Sequence, residues 1–171
     1  MALTGAATAP AAHRVLHLLL RTTLAPPLPD LVSLARWSRS HFRAPLPLQL
    51  HALLLALLAS HGLHPLLRSE LHALAASRLH SPASILRALP ASSPAAAPLV
   101  ADMLVLALAT ASQPLAAYEA FLLLGDNHPR HRPSAFSVNS LLSALFASEL
   151  VDLAERAFKA ALRRRFGVVV R

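Results

Sequence analysis

Two histidine pairs, His61 with His64 and His128 with His131, have the three-residue spacing that could put two imidazoles on one metal ion. A zinc site needs three or four protein ligands, and no third His, Cys or carboxylate stands at a supporting distance along the chain. Pro65 and Pro129 also disfavour a continuous helix through either pair, so no metal and no cofactor is expected. The absence of Cys removes thiol nucleophiles, thiolate zinc sites and disulfides together. The four glycines, Gly5, Gly62, Gly125 and Gly167, stand alone, so neither a dinucleotide-binding nor a P-loop phosphate cradle can be written. Ser, His and acidic residues occur, but in no recognisable active-site setting, and no enzymatic activity is expected. What remains is cationic chemistry. Arg163, Arg164 and Arg165 follow Lys159, where they could neutralise phosphates or simply favour and solvate a helix C-terminus. His128, Arg130, His131 and Arg132 make a second basic stretch, read as a solvent-facing loop.

The elements that would position these residues are helical. The 171 residues carry 16 Lys and Arg against 8 Asp and Glu, a formal charge of +8. Apolar residues make up 55% of the chain, dominated by Leu and Ala, both strong helix formers, while aromatics are only 5%. Val, Ile and Thr are few, so the expected fold class is all-α. Prolines cut the chain into helix-length pieces. LQLHALLLALLASHG follows Pro45 and Pro47 and ends at Gly62; a second piece runs from Pro65 to His80; SPASILRAL begins at Ser81. Pro in the first turn and Gly just past the end are the expected helix asymmetry. A Pro- and Ala-rich linker from Pro90 to Pro98 precedes two longer units, each read as helix, tight turn and second helix.

Those two units superpose at an offset of 37 residues. Asp102 falls on Asn139, Leu104 on Leu141, Leu108 on Leu145, Ala117 on Ala154, Ala120 on Ala157 and Phe121 on Phe158. The paired Ala-x-x-x-Phe patterns carry most weight, since only six Phe exist in the chain. One helical hairpin per fixed period is the signature of a helical solenoid, in which each unit buries its apolar face by stacking on its neighbours. Helices between Leu46 and Leu89 fit this architecture but do not fall into register with the period.

The stretch from Phe136 through Asn139, Leu141, Leu142, Ala144, Leu145, Val151, Asp152, Ala154 and Phe158 to Phe166 resembles a pentatricopeptide repeat. Residues 99–134 are similar to a more degenerate preceding copy. Glu149 stands where a small Gly is usual between the two helices. The resemblance implies hairpin repeats stacked as an α-solenoid, and a function in single-stranded RNA binding for processing, stability, editing or translation of organelle transcripts. It makes Asn139 a base-edge reader, with Asp102 its counterpart one repeat earlier. The partner positions are near Pro133 or Ser134 and near Val169, and Arg163, Arg164 and Arg165 become phosphate contacts. Partners would be organelle RNA and other RNA-processing proteins. Because the family strings many repeats together, the chain is expected to be an N-terminal portion or a truncated member. The alternative readings are a tetratricopeptide-like helical module that binds peptides, or a non-functional repeat fragment.

Residues 1–29 contain no acid, and residues 1–44 hold five Arg and one Asp among Ala, Leu, Thr and Ser. This is the composition of a transit peptide, and it predicts a disordered basic leader over 1–44 and a mitochondrial location, with the chloroplast as alternative. Residues 45–98 form a helical region with its linker, and 99–171 the two repeats. The apolar runs are interrupted by Gln49, His51 and Asp102, so no membrane span is expected.

Overall fold

The computed structural model describes residues 11, 13–18, 20, 27–42, 45–91 and 95–166, and among these the regular structure is α-helix with no strand. Nine helices follow one another: α1 within residues 11–20, α2 (Leu28–Phe42), α3 (Leu48–Ser60), α4 (His64–Ser77), α5 (Pro82–Ala88), α6 (Ala96–Thr110), α7 (Pro114–Asn127), α8 (Ala135–Ala147) and α9 (Val151–Phe166). Proline opens α4, α5 and α7 in the first turn, where its missing N–H has no intrahelical partner to lose. Ser81 and Ser134 cap α5 and α8, each side chain accepting from a backbone N–H three residues on. No helix among the described residues is long and apolar enough to cross a membrane.

The same tight turn occurs three times. Gly62, Ser112 and Glu149 lie in the left-handed region, at φ of 67, 55 and 59°. At each, two backbone hydrogen bonds close the preceding helix: Gly62 N–H to Ala59 and Leu63 N–H to Leu58; Ser112 to Ala109 and Gln113 to Leu108; Glu149 to Phe146 and Leu150 to Leu145. This pattern satisfies the last carbonyls of a helix and reverses the chain into the next one. Only Gly reaches it without a Cβ clash. Replacing Glu149 by Gly is therefore expected to stabilise the protein by about 0.5–1 kcal/mol, the αL strain outweighing the added freedom of the unfolded chain. Chemical denaturation would measure it; an unchanged or lower midpoint would mean the strain is relieved elsewhere.

Aligning the turns sets three hairpins, α3–α4, α6–α7 and α8–α9, in one register. Ser112 follows Gly62 by 50 residues and Glu149 follows Ser112 by 37. The first helices then end together, at Ser60, Thr110 and Ala147, and the second ones begin together, at His64, Pro114 and Val151. Leu54, Leu104 and Leu141 are all fully buried, as are Leu67, Ala117 and Ala154. The extra residues between the first two turns contain α5 and the Pro-rich linker, which is why no fixed period reached upstream. In the packing, α6 is central: it contacts α3 and α4 of the hairpin before it, its own partner α7, and α8 of the hairpin after it. The short α5 fills the space between α3 and α7.

The disordered leader expected over residues 1–44 does not extend through α2. Leu31, Val32 and Ala35 are buried in the core on one side of that helix. Arg36 and Arg39 reach across to Glu70 of α4. The basic run is thus one face of an amphipathic helix, whose acidic partner lies 34 residues further on.

Candidate functional site

Asn139, the residue singled out as a base-edge reader, sits exposed in the second turn of α8. It lies between two surface grooves. One, of about 530 Å³, is lined by Thr110, Ser112, Phe136, Ser140, Ser143 and Ser148 from the end of α6 and from α8. The other is apolar and includes Val138, Leu142, Phe158 and Leu162. Phe136 stands three residues before Asn139, hence on the same helix face, with 63% of its surface exposed. Burial does not explain a ring in that position. An exposed aromatic face beside an amide that can both donate and accept is the chemistry that stacks and reads an unpaired base. The sequence marked Phe136 only as an apolar position; its exposure required the structure.

Asp102 occupies the equivalent position on α6, yet the fold treats it differently. It is only 7% exposed, and its Oδ1 accepts from the backbone N–H of Ser134 at 3.1 Å and from the Ser137 hydroxyl. A carboxylate held against the first turn of α8 is stabilised by that helix's dipole and by charge-assisted hydrogen bonds. Asp102 is thus a cap lent by α6 to α8, and the structure does not place it in the groove beside Asn139. Of the partner positions, Ser134 is consumed in the same cap and Pro133 lines the apolar groove. Val169 lies outside the described residues.

The three arginines separate as well. Arg163 is exposed on α9. Arg164 folds back: its Nη1 donates to the Phe121 carbonyl at 3.2 Å, and its guanidinium lies over the Phe121 ring, 4.6 Å from the centroid. Burial lowers its pKa, with Asp126 acting in the opposite direction. The side chain of Arg165 lies outside the described residues. Gly125, inside α7, makes room for this clamp, because a Cβ there would meet the Arg164 guanidinium. A glycine in a helix interior costs about 1 kcal/mol relative to alanine, so its presence needs such a reason. Gly125→Ala should accordingly stabilise by about 1 kcal/mol in an Arg164→Ala background and by clearly less, or not at all, in the native chain. A double-mutant cycle by urea denaturation checks this; additive effects would remove the clamp from the account.

The strongest electrostatic cluster lies away from Asn139. Glu70 on α4, 1% exposed, pairs with Arg36 Nε at 2.8 Å and with Arg39 at 2.9 Å, and His51 Nε2 approaches to 3.5 Å. Arg36 also donates to the Ser69 hydroxyl. Burial alone would raise the Glu70 carboxyl, but hydrogen bonding to His51 and Arg36 and the charge of Arg39 outweigh it and hold the pKa at about 2. In register, Glu70 stands where the other hairpins carry the buried alanines Ala120 and Ala157. The sequence gave one cue to this cluster: an acid on the apolar side of an amphipathic helix.

Comparison with protein-family models, curated proteins and solved structures finds no match to this chain.

Proposed function

We propose that the chain is a pentatricopeptide-type α-solenoid that binds single-stranded RNA along the α6–α8 groove and acts by occupying RNA rather than by chemistry. The observation that carries this reading is the exposed pair Phe136 and Asn139, one helical turn apart and bordering a groove of hydroxyls. The ring supplies stacking, the amide reads a base edge, and the chain's charge of +8 attracts the phosphate backbone. Three hairpins of one register, each stacked on the next, support the solenoid reading. The acid-free composition of residues 1–29 supports delivery to the mitochondrion, or alternatively the chloroplast, where the RNA would be an organelle transcript.

Fluorescence anisotropy with a pool of short single-stranded RNAs tests the reading. Binding should weaken steeply as salt rises, and Phe136→Ala should cost about 1–3 kcal/mol of affinity, the range for one stacked base. Asn139→Ala should flatten preference among bases more than it lowers affinity. RNA affinity that neither substitution changes would remove the groove from the account. Capture of a protein partner that survives nuclease and is indifferent to Asn139→Ala would favour the peptide-binding alternative.

A further inference from the structure

Phe158 is the residue in which the register and the burial disagree. Its equivalents Leu71 and Phe121 are buried, and Phe121 lies beneath Arg164 of the following hairpin. Phe158 is 49% exposed, and around it Phe146, Val151 and Leu162 are exposed too. The face that packs against a neighbour in the preceding hairpins is thus uncovered on α8–α9. Phe158 forms a ridge between two grooves, one walled by Leu142, Phe146 and Val151 with a volume of about 480 Å³, the other by Val138, Leu142, Ala161 and Leu162. A contiguous apolar surface of this kind is a docking surface.

The charges on α9 select its occupant. The first half of the helix carries Asp152 and Glu155, the second half Lys159 and Arg163. Glu155 and Lys159 pair within the helix, and both are more than half exposed. When α9 meets a second α9 running antiparallel about an axis near Ala157, each acidic half faces a basic half, and Glu155 lies opposite Lys159 of the other copy. The same axis brings each Phe158 to the groove beside the other Phe158. We propose that the α8–α9 face binds a second copy of this chain, in an isologous pair where Phe158 of each copy fills the groove of the other.

Sedimentation of the full chain over a wide concentration range tests this, read together with cysteine trapping in the naturally Cys-free sequence. The mass should rise from 18.2 kDa to twice that value with concentration. Phe158→Asp should raise the dissociation constant by about tenfold or more, with helicity by circular dichroism unchanged. Chains carrying Glu155→Cys should cross-link to chains carrying Lys159→Cys faster than either does to itself. A mass that stays at that of one chain at every concentration, a dimer indifferent to Phe158→Asp, or preferential self-cross-linking of one cysteine variant would each overturn the proposal.

Discussion

Replacing Arg36 and Arg39 together by alanine is expected to destabilise the protein by about 3–5 kcal/mol, because Glu70 is then left buried without its cationic partners. Adding Glu70→Ala to that variant should recover most of the loss. The other two hairpins show that alanine fits this position, Ala120 and Ala157 being fully buried there. Replacing a whole buried ion cluster by apolar groups is often neutral, whereas removing half of it is costly. Chemical denaturation followed at 222 nm gives the global term. Trp37, the single tryptophan, lies on α2 and stacks on His41, so its emission reports whether α2 leaves the body first. If the triple variant is no more stable than the double, the cluster is not what docks α2.

The same cluster fixes a pH dependence. An ordinary Glu titrates near 4.5, and Glu70 in the folded chain near 2. The unfolded chain therefore binds the proton first as the pH falls, and the stabilisation is complete above the ordinary value and lost between it and the folded one. The loss should reach about 2 kcal/mol, after allowing for solvent screening at half-exposed Arg36. In Glu70→Ala this part of the acid sensitivity should vanish; a profile identical to the parent's would assign it to other carboxylates.

Asp102→Ala is expected to cost about 2–3 kcal/mol, since it leaves the buried Ser137 hydroxyl and the Ser134 N–H without a charged acceptor and removes an anion from the α8 N-terminus. Asn139→Ala, at the equivalent position one hairpin later, should change stability by less than about 0.5 kcal/mol, as an exposed substitution does. The contrast separates a packing role from a recognition role at two positions that sequence alone equates. Equal losses of stability in the two variants would show that Asn139, too, is structural.

Several features were legible from residue types alone. Leu and Ala abundance with few β-branched residues dictated helices; Pro and Gly marked their ends; the repeated Ala-x-x-x-Phe paired α7 with α9. The left-handed turn at Glu149 sits where the sequence resemblance expects a glycine, and Ser112 and Gly62 adopt the same backbone. These are local properties, fixed by backbone sterics and by which side chains share a helix face. The register of the first hairpin was not legible, because the segment holding α5 displaces it from the 37-residue period and Leu-rich helices offer many equally good alignments. The roles of Asp102, Arg164, Glu70 and Phe158 were not legible either. Each is decided by what approaches from another element: a helix N-terminus, a carbonyl beside a glycine, two arginines on α2, or nothing at all. Sequence determined which residues become helix and which helix faces are apolar. Only the tertiary packing decided which equivalent positions are covered, because burial and electrostatic partners depend on neighbours distant in the chain and are not encoded in local propensity.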